Sequence, residues 1–138
     1  MDTLYLVSCV SVKLDKPAAA KDLYCSAWFK AARKYVEAKG GRWRILSAKY
    51  GVLHPDTVID PYEETLKTKS AHERAVWGLK VREQMPEADQ YVLLAGRQYA
   101  EHLIKALQPE LPLKGLGIGQ QLSWFKSHTG VEHPKAAV

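Results

Sequence analysis

Three short apolar runs, at residues 3–10, 42–48 and 90–95, are separated by stretches whose apolar residues recur every three or four positions. No other feature narrows the possible folds as far. The first run, TLYLVSCV, hardly alternates between apolar and polar, which suits a strand buried on both faces. Strands that alternate with helices point to a parallel sheet with helices packed on its faces. The expectation is an α/β three-layer sandwich with a mostly parallel central sheet of about four strands. It forms a single domain over residues 1–127, followed by a tail at 128–138.

The helical segments have their own punctuation. From Asp22, the residues Leu23, Trp28, Phe29, Ala32, Tyr35 and Val36 lie on one face, with Lys30, Arg33, Lys34 and Glu37 largely between them. Asp22 is read as the N-cap, and Gly40-Gly41 ends the helix. Residues 70–85 form a second helix, capped by Ser70, with Ala71, Val76, Leu79 and Val81 as its apolar stripe. Residues 97–107 and 119–126 are read as further helices, and 111–118 as holding the fourth strand. The glycines at 115, 117 and 119 fall near the end of the chain and lack the spacing of a dinucleotide fingerprint.

Composition excludes several classes. No apolar run approaches the roughly 20 residues of a membrane span. The opening MDTLYLVSCV lacks the basic start and cleavage site of a signal peptide, so a cytoplasmic protein without membrane contact is expected. Two cysteines, Cys9 and Cys25, make no disulfide scaffold in 138 residues. Neither CxxC nor HxxxH spacing is present, and neither a metal nor a cofactor is called for. The net charge of +5 and pI near 9.2 make a polyanionic partner plausible.

Ligand sites in parallel sheets lie off the carboxyl ends of the strands. Three segments leave strand ends here: SCVSVK, SAKYGVL and AGRQY. The first carries Ser8, Cys9, Ser11 and Lys13, which suit an anion or the polar edge of a base, although its serines would also cap backbone. Cys9 has no histidine near it in sequence, and free buried cysteine usually packs. The second opens a long segment, SAKYGVLHPDTVIDPYEETL, with Ser47, Lys49, Tyr50, Asp56, Asp60 and Tyr62. Loops this long are uncommon without a task. The tyrosines can stack on a planar ring, and the aspartates can position water or act as bases. The structural alternative is an Asx turn at Asp56 with tyrosines covering the core. The third segment adds Arg97.

The segments SCVSVKLDKPAAAKDLYCSAWF, ILSAKYGVLHPDTVIDPYEETL, VLLAGRQY and PLKGLGIGQQLSW together resemble the DUF6884 family of small bacterial and phage proteins. More distantly, LSAKYGVLHPDTVIDPYEETL is similar to the corresponding loop of the YaaA peroxide-stress family, and residues 8–13 resemble that family's opening serine-to-lysine stretch. The resemblance implies DNA binding and kinship with uracil-DNA-glycosylase-like α/β domains. The chain departs from YaaA proteins in its length, about half theirs, and in lacking a helix-hairpin-helix segment. It also lacks the glycosylases' usual catalytic motifs.

The expected function is a nucleic-acid or nucleotide-binding α/β domain, in its enzymatic version a glycosylase-like enzyme that hydrolyses or transfers at the N-glycosidic bond of a modified base. The base would stack on Tyr50 or Tyr62. Ser8, Ser11 and Ser47 would bind its edge or the phosphates, and Lys13, Lys49 and Arg97 would supply positive charge. Asp60 or Asp56 would orient water or stabilise an oxocarbenium-like centre, with the base extruded. The alternatives are a non-catalytic module that binds DNA or protein, or a sensor of small nucleotides.

Overall fold

The computed structural model describes residues 2–10 and 12–129. The first strand, β1 (Thr3–Ser8), lies in the middle of a four-stranded sheet. Its neighbours are β3 (Arg42–Ser47) and β6 (Gln90–Leu94), both parallel to it, with Tyr5 opposite Trp43 on one side and Val92 on the other. Leu4, Leu6 and Val7 are fully buried, and the last two are neighbours that point to opposite faces. Burial of both side-chain parities requires cover on both faces of the strand.

The fourth strand is β4 (Gly51–Leu53), which turns back antiparallel along β3 with Ser47 opposite Gly51. This corrects the expected strand at 111–118. Just before it, Glu110 meets the sheet through an isolated parallel bridge to Val92, and the chain then turns over residues 112–115. Pro112 supplies no N–H for a ladder, and Gly115 adopts φ +81°, so strand geometry stops at once. The long segment after residue 47 is not structureless either. Besides β4 it contains β5 (Val58–Ile59), which pairs antiparallel with β2 (Ala18–Ala19) in a small second sheet.

Among the described residues there are six α-helices. A four-residue turn, α1 (Ala20–Leu23), precedes α2 (Ala27–Lys39). The N-cap of α2 is Ser26, not Asp22: its hydroxyl accepts from Phe29 N–H. The helix breaks between the two because Cys25 donates its N–H to Val12 and Tyr24 bridges to Lys13. Phe29, Ala32, Tyr35 and Val36 form the buried face of α2, and Gly40 ends it at φ +74°.

The next helix, α3 (Ala71–Gln84), carries a capping box between Ser70 and Glu73 and lies against β4. Its buried residues are Trp77, Gly78 and Val81, while Val76 and Leu79 are about half exposed. The expected stripe was therefore wrong at three of its four positions, since Ala71 is exposed as well. The segment 97–107 is two short helices, α4 (Arg97–Ala100) and α5 (Ile104–Leu107). The last helix, α6 (Ile118–His128), packs on α2 through Trp124 and Phe125 against Tyr35 and Trp28. Residues 130–138 of the expected tail lie outside the described residues.

Candidate functional site

Because β1, β3 and β6 are parallel, their carboxyl ends lie at one edge. Ser8 is level with Leu46, and Cys9 N–H donates to the Leu46 carbonyl at 2.9 Å. α4 follows β6 and brings Tyr99 to the same edge, where its hydroxyl lies 3.1 Å from Cys9 Sγ. Tyr62 returns from the segment after β5 to reach Ser47 at the end of β3. Three strand ends and one long excursion thus meet around a cluster of phenols.

At the centre of the cluster is a chain of hydroxyls. Ser47 Oγ lies 2.7 Å from the Tyr62 hydroxyl, which lies 2.5 Å from that of Tyr24. Ser47 Oγ also accepts the N–H groups of Lys49 and Tyr50, at 3.2 and 3.0 Å. Those two bonds occupy both lone pairs of the serine oxygen, so its own proton goes to Tyr62. Tyr62 in turn donates to Tyr24. The chain therefore has one direction, Ser47 to Tyr62 to Tyr24. The Ser47 carbonyl takes the Trp77 indole N–H at 2.9 Å, which ties the strand end to α3.

Burial first, and then the nearby Cys9 thiol, pushes the Tyr24, Tyr62 and Tyr99 phenols well above their ordinary range. All three stay protonated at neutral pH and act as hydrogen-bonding groups, not bases. Cations sit at the margin of the cluster. Lys13 Nζ lies 4.5 Å from the centroid of the Tyr62 ring, and Lys49 Nζ lies 5.3 Å from that of Tyr50. Tyr50 itself is half-buried and meets Tyr62 edge-on, with centroids 5.6 Å apart.

The residues singled out in the sequence are therefore distributed as follows. Ser8, Cys9, Ser47 and Tyr62 are buried at the strand ends, and Lys13 and Tyr50 are half-buried beside them. Lys49 and Arg97 are exposed. Ser11 lies outside the described residues. Asp60 is exposed and stands two residues before Tyr62. Asp56 lies elsewhere: its carboxylate pairs with Lys21 Nζ at 2.7 Å and lines a groove with Arg42 and Arg44, at the opposite end of β3 from Ser47. The hydrogen bond from Lys21 holds the Asp56 carboxyl below the usual carboxylate range.

Tyr24, Trp77 and Tyr99 belong to the cluster and were not anticipated. Tyr24 falls in DLYCSAWF, read as the opening of a helix, and Tyr99 in AGRQY, a strand-end segment from which only Arg97 was singled out. The signal that would have found them is the excess of tyrosines next to strand-end segments. Among the described residues, no group of three His, Cys, Asp or Glu side chains is placed to hold a metal ion, and no helix is long and apolar enough to cross a membrane.

No solved structure matches the chain. The uncharacterized protein YfjM of Bacillus subtilis (strain 168) is 29% identical over 122 residues, spanning 83% of this chain and 74% of YfjM. The model of a family of unknown function, DUF6884, matches residues 4–127, nearly the whole described length, and the chain belongs to that family.

Proposed function

We propose that the carboxyl edge of the parallel strands binds nucleic acid or a nucleotide, in a cytoplasmic protein whose three-layer α/β sandwich is of the uracil-DNA-glycosylase type and distantly akin to YaaA. One observation carries the reading: at the ends of β1 and β3, the ammonium groups of Lys13 and Lys49 stand beside the rings of Tyr62 and Tyr50. Aromatic faces with adjacent cations are what single-stranded nucleic acid engages, through base stacking and phosphate contact. Lys49, Lys67 and Arg97 make no ion pair among the described residues and can meet phosphates, whereas Lys69 is engaged by Glu64. α4, which begins at Arg97, packs against the turn that carries Lys67.

In the enzymatic version of this reading, the carboxylate that orients water is Asp60, because Asp56 is committed to Lys21. A second reading, a binding module without catalysis, is favoured by the burial of Ser8, Ser47 and Tyr62, whose protein partners already use the hydroxyls of Ser47 and Tyr62.

The test is fluorescence anisotropy with single-stranded and duplex oligonucleotides and with a mononucleotide, across a salt series. Binding should fall steeply as salt rises. Lys49→Ala and Arg97→Ala should each weaken it several-fold with no change in melting temperature. Affinity that is indifferent to salt, or absent at low salt, ends the proposal. Base release by the wild type that is lost in Asp60→Asn would select the enzymatic version, and no release by either would select the module.

A further inference from the structure

The first half of β3 has an open edge. β4 pairs only with Ile45, Leu46 and Ser47, and its ladder stops at Leu53. Leu46 bonds towards β1, so by alternation the main chains of Ile45, Ser47 and Trp43 face the other side. At Trp43 no strand among the described residues receives them. A groove of about 380 Å³ runs along this edge, within the size range of small-molecule sites. Its walls include Lys21, Arg42, Arg44 and His54 as donors, and Glu37 and Asp56 as carboxylates.

The carboxylates are already engaged. Asp56 holds Lys21 at 2.7 Å, and Glu37 holds Arg33 at 3.0 Å. Arg42 is taken up by Asp2 and by the Glu87 carbonyl. Arg44 has no carboxylate among the described residues. One of its nitrogens, Nη1, donates to the Trp43 carbonyl at 2.9 Å, which leaves Nε and Nη2 unengaged. The guanidinium is half-buried and is disfavoured as a cation, first by desolvation and then by repulsion from Arg42. The attraction of an anion beside it would offset both effects.

His54 adds a directed donor. Its Nδ1 accepts the Asp56 N–H at 3.1 Å, which puts the ring proton on Nε2. The 3.9 Å separation of Nδ1 from the Asp56 carboxylate is too long to compete with that bond.

We propose that this groove is a binding site for a small molecule carrying an oxyanion group, phosphate or carboxylate, with the Arg44 guanidinium as its main ligand and His54 Nε2–H as a second donor. Forked hydrogen bonding from arginine matches the geometry of both groups. The site lies at the opposite end of β3 from the tyrosine cluster, and it does not depend on nucleic-acid binding there.

Two-dimensional NMR of the labelled protein tests it. Inorganic phosphate and sodium acetate are titrated separately, with chloride holding ionic strength constant. Saturable shifts of the Trp43 amide, Arg44 Nε–H and His54 ring signals are expected, and the tighter of the two salts names the group preferred. Arg44→Lys should weaken binding about tenfold by removing the fork while keeping the charge. Arg44→Gln should abolish saturation, and Lys49→Ala should leave it unchanged. Equal shifts with chloride alone, absence of saturation in the wild type, or wild-type binding in Arg44→Gln would overturn the proposal. So would an oligonucleotide that shifts these same signals at lower concentration than phosphate, since that would assign the groove to a nucleic-acid surface.

Discussion

Ser47 Oγ has no lone pair to spare, and this decides what each tyrosine in the cluster can lose. In Tyr62→Phe, the Ser47 proton loses its acceptor and Tyr24 loses its donor, both in a buried setting. A stranded buried polar group costs about 1–3 kcal/mol. Tyr24→Phe strands only the Tyr62 proton, because it is the end of the chain. Urea denaturation should show Tyr62→Phe to be the more damaging, and the double variant should cost less than the sum of the two. Equal costs that add would show that the hydroxyls do not act as a chain. A second consequence concerns pH. The Tyr24, Tyr62 and Tyr99 phenols are raised in the folded protein, and burial pushes Tyr35 up to about 12. A group raised on folding contributes fully below its unfolded value of about 10 and loses that contribution as pH climbs through its folded value. The contribution of these phenols to stability should therefore be flat to about pH 10 and then fall. Ultraviolet titration should show these phenols ionising together with loss of near-ultraviolet dichroism, and smooth ionisation of a folded protein would contradict this. Much of the cluster was legible in the sequence, because Ser47, Tyr62 and Lys13 follow strands. Tyr24 and Tyr99 were hidden because they look like helix positions, and only the tertiary fold turns them inward.

Strands β1, β3 and β6 and helices α2, α3 and α6 were all visible as periodic patterns, and the misreadings have local causes. Asp22 and Ser26 are both good caps. What chooses Ser26 is a long-range bond, from Cys25 N–H to Val12, which no helical periodicity reports. The stripe on α3 was misjudged because Trp77, the residue that reaches the Ser47 carbonyl, sets the buried face, and small Gly78 lies beside it against His102. β4 escaped notice because it is only three residues long and is held by a side chain: Gln84 of α3 accepts the Val52 N–H at 2.9 Å. Gly51 makes that possible. It adopts φ +79°, and a Cβ there would meet the Gln84 amide. Gly51→Ala combines left-handed backbone strain with loss of this bond and should cost about 1–3 kcal/mol, measured by thermal or urea unfolding. A neutral result would mean that β4 is not held in this way. Ser70→Ala removes one half of the α3 capping box and should cost about 1 kcal/mol.

At the scale of the whole molecule, one strand organises everything else. β1 is laddered on both sides and buried on both faces, whereas the two-residue strands β2 and β5 pair only with each other. Native-state hydrogen exchange should be slowest at Leu4, Leu6 and Val7 and orders of magnitude faster at Ala19 and Val58, since only global unfolding frees a central strand. Comparable rates at both places would show that the central strand and the small sheet exchange through one shared opening, against this expectation. The parallel arrangement itself was readable from the β–α alternation. The antiparallel edge was not, because a three-residue return needs no crossover to announce it. The central place of β1 also bears on how the protein is made. β1 is synthesised before either partner, and its second ladder has no template until residues 90–94 have been added. One edge of its apolar stretch must wait through most of translation bare, in the condition most open to pairing with a neighbouring chain. A nascent chain stalled anywhere between β3 and β6 would carry a half-built sheet, and its life in the cell would depend on whatever shields that one strand.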